Sequence, residues 1–337
     1  LKKFFEERNV EVISVEDGTR VFVEEVTSAG QENPIVLIGN SMVVPGEPEK
    51  AMRKWKISRR INFETSSVFQ DHIIGGNPVL PAVHAMAWMV DVCEQELPGF
   101  MLSSCENFKV LNGVKFDESL ADEYMLELQE VERLNGSFTE IEVKVSSLSG
   151  SESSGTKRLR FHYSTKVRLV QQVPEAPLHD RIDMSNTHNL PGSSFYQDGT
   201  LFHVQKFQGI EQVLNIGEQG LTLECCLPKI SAEEQGQFVT SDFNPFAADL
   251  AFQAMLIWAW RFHQSGSLPL KTDLLEHFRN VESATRFFLS MSVNKSSAST
   301  LNANLFLHDD QGLLYTRMLG AEVTLSKSLN SLFGKNN

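Results

Sequence analysis

Two short patterns in this chain combine residue types that can move protons. In "DHIIGGNPVLPAV", residues 71–83, His72 is followed by Gly76 and then by Pro81, where an apolar run begins. Far downstream, in "DLAFQAM", Asp249 is followed four residues on by Gln253. An imidazole titrates near neutrality, so it can take a proton from carbon and return it. A carboxyl group in apolar surroundings is pushed toward its protonated form and can act as an acid. Spacing of i, i+4 puts Asp249 and Gln253 on one face of a helix. Gly76 lets backbone come close to a ligand, and a free N–H near a helix start can bind an oxygen on which negative charge develops. Pro81 suits a first helical turn, where its missing N–H costs nothing.

Each pattern also has an ordinary reading. Asp at a helix start is commonly an N-cap. Gln253 could be a buried amide tied to backbone, and a lone His before a glycine turn is often structural. The conjunction favours chemistry: both patterns occur once, and each abuts an equivalent apolar run. A base and an acid from two halves of the chain would then face each other across a seam.

The elements that must position these groups repeat. "PAVHAMAWMVDVCEQ" and "DLAFQAMLIWAWRFHQ" are apolar on nearly all sides, so both helices should be buried. "RRINFETSSVF" reads as a strand leading into the first. Three alternating runs follow it: "EYMLELQEVERL", "SFTEIEVKVSSL" and "RLRFHYSTKVRLV", the last two separated by the Ser/Gly tract "SSLSGSESSGTK". The second stretch opens on "FQGIEQVLNI" and "GLTLECCL". After its helix come "ATRFFLSMSVNK", "TLNANLFLHDD" and "LLYTRMLGAEVTLS", with "DDQG" as a tight turn. A curved antiparallel sheet wrapped around each helix would hide its whole circumference, and two such copies would pair into one doubled unit. Before them, residues 1–45 alternate short β-rich runs ("VEVISVE", "TRVFVEEV", "PIVLIG"), and "NSMVVPGEPEKAM" reads as a linker. The opening "LKKFFEERNV" suggests a piece of a longer polypeptide.

The totals narrow the classes. The net charge of −13 argues against a nucleic-acid partner, and no apolar run approaches the length of a membrane span. Cys93, Cys105, Cys225 and Cys226 show no CxxC pairing and read as small hydrophobes in a reducing compartment.

His72–Gly76–Pro81 followed by Asp249–Gln253 resembles the HxxxGxxxxP and DxxxQ motifs of polyketide synthase dehydratase domains, especially those of polyunsaturated fatty acid synthases. "YQDGTLFHVQKFQGI" resembles the family's third element, YxxG followed by GPxF, through Tyr196, Gly199 and Phe207. The likeness spans residues 52–330 and implies an α+β double hot-dog fold, with two antiparallel sheets each wrapped around a central helix, side by side. It implies a β-rich segment over 1–48 from the tail of a preceding synthase domain, such as a ketoreductase. Hot-dog halves over 49–175 and 195–330, a linker over 176–194 and a tail over 331–337 follow. The implied reaction removes water from a 3-hydroxyacyl thioester to leave a trans-2-enoyl thioester. His72 would take the α-proton, Asp249 would protonate the leaving hydroxyl and Gln253 would orient Asp249. The Gly76 N–H would polarise the thioester carbonyl, while Leu80, Pro81, Tyr196, His203 and Phe207 would contact substrate. No metal, nucleotide or flavin is implied; the substrate rides on the phosphopantetheine of an acyl carrier protein in the cytoplasm. Neighbouring synthase domains are further partners, and a homodimer is one arrangement the family allows. Two departures stand out. Val204-Gln205 replaces Gly-Pro, which puts chain-length preference in doubt, and Ala82 replaces the glycine common after the motif proline. The alternatives are another double hot-dog activity, a cyclase or isomerase, or a non-catalytic acyl-binding copy.

Three other features carry expectations. His84 reads as a satisfied core histidine. Asp71 neighbours His72 but should point to the opposite face. "MRKWKISRR", 52–60, concentrates five of the thirty basic residues, either as a solvated edge or as a docking patch for an acidic carrier protein.

Overall fold

The computed structural model describes residues 13–27, 52–134, 137–149, 158–179, 188–239 and 243–333. The chain divides into two compact units, 1–51 and 52–337. In the first, the described part is a helix, α1 (Val15–Thr27), where β-rich "TRVFVEEV" is expected. Val15, Phe22, Val23 and Val26 recur at helical spacing, and this periodicity overrides the β-propensity of the individual residues. The run "PIVLIG", the 40–51 part of the linker, residues 10–12 of "VEVISVE" and residues 150–157 of the Ser/Gly tract lie outside the described residues.

The second unit contains, in its first half, β1 (Lys54–Arg59), a small hairpin of β2 (Ile73–Ile74) and β3 (Asn77–Pro78), and α2 (Ala82–Glu96). These are followed by β4 (Met101–Val110), β5 (Tyr124–Leu134), β6 (Phe138–Ser149) and β7 (Arg158–Val170). Its second half contains β8 (Leu190–Pro191), α3 (Gly192–Gln197), β9 (Ile210–Gly217), β10 (Gly220–Cys226), α4 (Ala232–Gln235) and α5 (Pro245–His263). Then come β11 (Gly266–His277), β12 (Arg286–Ser296), β13 (Thr300–His308) and β14 (Leu314–Ser326). One antiparallel sheet runs through both halves in the order β1-β5-β6-β7-β4-β11-β14-β13-β12-β10-β9-β8. The halves correspond strand for strand: helix, β4 to β7, and β1 at the side of β5 in the first; helix, β11 to β14, and β10 at the side of β12 in the second.

Neither α2 nor α5 has a polar face. Val83 to Val90 are all buried in α2, and Pro245 to Ala259 in α5. Each sheet half supplies the wrapping, Leu126, Ile141, Val143 and Val167 around the first helix, Leu289, Leu301, Leu305 and Met318 around the second. The α+β architecture of two helix-wrapped halves is the one expected from the repeated pattern, and the two sheets merge into one.

The strands that perform the merger, β4 and β11, are those for which the sequence pattern offers no prediction. They pair with Leu275 opposite Cys105 and Thr272 opposite Phe108. Pairing register breaks in β4 between Leu102 and Ser104 and again between Glu106 and Lys109, so two-residue alternation is lost. In β11 it breaks beside Pro269. "RRINFETSSVF" is not a strand either. Asn62 closes a turn by accepting the Glu64 N–H at 2.9 Å, and Ser67–Asp71 forms a short 3-10 turn that buries Val68 and Phe69. The strand lies just before it, in the basic stretch. Lys54, Lys56 and Ser58 are its exposed positions, Lys56 pairs with Glu127 at 2.8 Å, and Arg53 pairs with buried Glu130 at 2.9 Å.

Leu275 is fully buried at the join of the halves. Leu275→Ala should destabilise the protein by about 2–5 kcal/mol, read as a lowered denaturant midpoint at unchanged m-value.

Candidate active site

His72 follows the 3-10 turn and enters the β2–β3 hairpin, whose two-residue connection is Gly75-Gly76. Both glycines have positive φ, +61° and +82°, as a hairpin turn of this handedness requires. Gly76 therefore serves the turn: it sits exposed at the hairpin tip and lies outside the cavity wall. The turn brings Val79 back to His72, whose carbonyl accepts the Val79 N–H at 3.0 Å. The His72 ring contacts the Val79 carbonyl through Nδ1 at 2.9 Å. A carbonyl only accepts, so Nδ1 carries the hydrogen and Nε2 is left as a lone-pair base. Pro81 is the N-cap of α2, one position ahead of the first turn, and it provides no side-chain cap.

On the other side, α5 starts at Pro245 and is capped by Asn244, whose side chain accepts the Phe246 and Ala247 N–H groups at 3.0 and 3.3 Å. Asp249 lies within the second turn, so the N-cap reading is excluded. Its Oδ2 receives Gln253 Nε2 at 2.9 Å and His203 Nε2 at 3.3 Å. Gln253 Nε2 also donates to the Phe207 carbonyl at 2.9 Å, and its Oε1 accepts the Tyr196 hydroxyl at 2.8 Å. The Tyr196 oxygen in turn accepts the N–H groups of Gly209 and Ile210 at 3.2 and 3.3 Å. Every polar atom of Gln253 is thus assigned, and the amide can present only N–H to Asp249. Tyr196 and Phe207 do not line the cavity; they hold Gln253, and Phe207 also packs its ring 5.3 Å from His72.

The halves meet where His72 and His203 face each other in an antiparallel bridge. The Val204 N–H donates to the Asp71 carbonyl and the Lys206 N–H to the Asp71 carboxylate, both at 2.9 Å. The Asp71 carboxylate is engaged by the Lys206 N–H, whereas the His72 ring is held by the Val79 carbonyl, so Asp71 ties down the segment that carries His203. One nitrogen each of His72 and His203 and one oxygen of Asp249 all lie within 4.8 Å of one another. That separation alone would suit a divalent ion. His203 Nε2, however, donates toward Asp249 and has no lone pair to give, and Asp249 Oδ2 already takes two donors. The set therefore reads as acid–base machinery. It faces a cavity of about 250 Å³ that Leu80, Pro81, Ala82, Val110, Phe252, Leu256, Leu268 and Val323 complete.

Burial pushes His72 down to about 4, against the pull of Asp249 and with the repulsion of His203. It is a free base at neutral pH. For Asp249, burial works upward and is the largest single effect. The hydrogen bond from His203, the nearby charges of His203 and His72, and Gln253 overcome it and hold the carboxyl group at about 2. The expectation that an apolar tunnel keeps Asp249 protonated is thus corrected: the donors around the carboxylate outweigh the tunnel. His84 packs its ring against Phe246, Phe69 and Phe207 at 4.6, 5.3 and 5.5 Å. It is core, but not satisfied: neither ring nitrogen has a hydrogen-bond partner, and burial pushes it down to about 3.

Sequence reasoning brings His72, Asp249 and Gln253 together, and the structure joins them. The His203–Asp249 contact and the anchoring by Asp71 carry no sequence signal, because both depend on the fold crossing between halves. Residues 174–331 match the family described as polyketide synthase dehydratase N-terminal domain. A polyunsaturated fatty acid synthase polypeptide from a Thraustochytrium species is 27% identical over 320 residues, 94% of this chain and 11% of that protein. The chain thus spans about a tenth of its length. Among solved structures, a trans-AT polyketide synthase dehydratase domain from Brevibacillus brevis is 17% identical at a TM-score of 0.62, covering 82% of this chain and 95% of its own. The dehydratase domain of RzxB from Pseudomonas fluorescens is 14% identical at 0.61, covering 80% and 93%. The fold is that of these dehydratase domains, the double hot-dog.

Unfolded histidine binds a proton below its ordinary pKa near 6.5, whereas folded His84 refuses it until about 3. Stability should therefore fall as pH drops from the first value toward the second. His84→Leu should flatten that fall in a Tm series from neutral to acid pH.

Proposed function

We propose that this chain, a relative of the dehydratase domains of polyketide and polyunsaturated fatty acid synthases, eliminates water from 3-hydroxyacyl thioesters to give trans-2-enoyl thioesters. One observation carries this: His72 from the first half and Asp249 from the second bring a ring nitrogen and a carboxylate oxygen within 4.8 Å of each other on the wall of an apolar cavity. That is room for one reacting carbon pair between a base and an acid.

His72 Nε2 takes the α-proton of the bound thioester. Electron density moves toward the thioester oxygen and then into the new double bond, as the β-hydroxyl leaves with a proton handed on through the Asp249 carboxylate. Ala82 stands first in α2 and lines the cavity, at a helix start that lacks a side-chain cap. The N–H groups of that turn are the donors available to the thioester oxygen, a role better suited to Ala82 than to Gly76 at its exposed tip. The apolar wall from Val110 to Val323 takes the acyl chain. The elimination involves no net oxidation or reduction, so a base, an acid and an oxyanion donor suffice and no cofactor is called for.

The likeness to a segment of a polyunsaturated fatty acid synthase polypeptide supports a substrate delivered by an acyl carrier protein, within a synthase of several domains. Arg59 ends β1 and Arg60 follows it, and the two offer an acidic carrier a positive contact, since Arg53 and Lys56 are already paired.

Offered 3-hydroxyacyl thioesters, the wild type should yield a product lighter by one water, read by mass spectrometry. His72→Ala and Asp249→Asn should each lower turnover by about 10²–10⁴. With His72 at about 4, kcat/KM should rise as pH climbs through that value and the imidazole loses its proton. Equal turnover in wild type and His72→Ala would sink the dehydratase reading. Arg59→Glu with Arg60→Glu should lower kcat/KM by about tenfold for carrier-bound substrate and leave a small soluble thioester unaffected, because rim charges act on encounter.

A further inference from the structure

Elimination needs one proton beside the leaving hydroxyl while His72 is empty. Asp249 is surrounded by donors, yet most of them have no proton to spare. Gln253 offers amide hydrogens, which do not transfer at ordinary pH, and Tyr196 gives its hydroxyl hydrogen to Gln253 rather than to the carboxylate. His72 must be neutral to act as base. His203 remains. Its Nε2 lies 3.3 Å from Asp249 Oδ2, with side-chain exposures of 4% and 6%, so solvent does not intervene. Its ring is stacked on Phe202 at a centroid distance of 4.0 Å. Its backbone is held by the Gln208 side chain, which donates to the His203 carbonyl at 3.0 Å, and by the bridge to His72. Nδ1 is buried without a partner.

We propose that His203 is a positioning residue for Asp249 that also holds the proton this carboxyl group delivers, a role that rests on the dehydratase reading above. The pair shares a single proton. Resting on the imidazole, it makes an ion pair with the carboxylate across the 3.3 Å contact, while Nδ1–H has no partner. The proton crosses the hydrogen bond to the carboxyl group and passes to the β-hydroxyl oxygen as the Cβ–O bond breaks. Water departs, His203 is left neutral and His72 holds the α-proton. One proton must then return from His72 to the pair before the next turnover. Other titratable groups facing the pair are His72 from the loop, His84 from α2, Tyr196 from α3 through Gln253, and Lys115 on the cavity wall.

His203→Gln keeps an N–H donor for Oδ2 but has no proton to hold, which separates positioning from proton storage. The readout is the pH profile of kcat/KM with a 3-hydroxyacyl thioester. A carboxyl group titrates below an imidazole, so the alkaline limb of the variant should move down by about one unit or more. At about pH 5 the variant should run within about threefold of wild type, and at about pH 8 it should fall about tenfold or more below. An alkaline limb that stays in place, whatever the overall rate, overturns the assignment. Should the variant be inactive throughout, ring-nitrogen NMR of wild type labelled at histidine decides, with His203 assigned by difference against His203→Asn. A cationic His203 at about neutral pH supports the pair, and a neutral ring across the active range overturns it. The ring measurement needs no substrate, so a protein that turns over no thioester would fail the dehydratase reading alone.

Discussion

Two helices without a polar face set the terms of this fold. Neither can lie on a surface, so each must be wrapped on every side, and one strongly curved sheet is the device that does it. A wrapped helix has only its ends left for contact with anything else. His72 reaches the cavity from the hairpin that leads into α2, and Asp249 and Gln253 reach it from the first half of α5. The join of β4 to β11 then brings the two starts to one cavity. Chemistry and topology are linked by this constraint: the site exists where two buried helices must begin.

The same burial governs the charges. An apolar, water-poor pocket disfavours every ionised group, and His72 and His84 respond by losing their protons. Asp249 resists because three partners converge on it, and Gln253 is locked with its amide hydrogens forward by Tyr196 and two backbone N–H groups. A neutral base and an ionised carboxylate therefore coexist a few ångströms apart. Burial explains the neutral imidazole, and the donors gathered around Asp249 explain the ionised carboxylate.

Much of this is legible in the sequence, and the losses have physical causes. The buried helices and eight outer strands follow from periodicity, because such signals are local, while His72, Asp249 and Gln253 stand out through the resemblance of their ordered motifs to the dehydratase family. β4 and β11 escape because bulges and Pro269 break the two-residue rhythm at the place where two sheets must bend into one. α1 escapes because its Val and Phe residues, taken singly, are β-formers, and only their helical spacing says otherwise. The charge of Asp249 escapes for a different reason: it is set by His203, which is distant in sequence and arrives only through the seam between 71–72 and 203–204.

That seam also bears on the replacement of Gly-Pro by Val204-Gln205. Val204 has φ −97° and ψ 178°, extended backbone that any residue adopts and that a residue before proline prefers. Gln205 opens a one-turn 3-10 helix, a position where proline would forfeit no hydrogen bond. The conformation is thus the one a Gly-Pro pair would take, reached without either residue. What proline would have stiffened is stiffened here by Asp71, which receives the Val204 and Lys206 N–H groups. The departure changes how the loop is held rather than where it lies. It keeps His203 over Asp249 and gives no reason to regard the site as decayed.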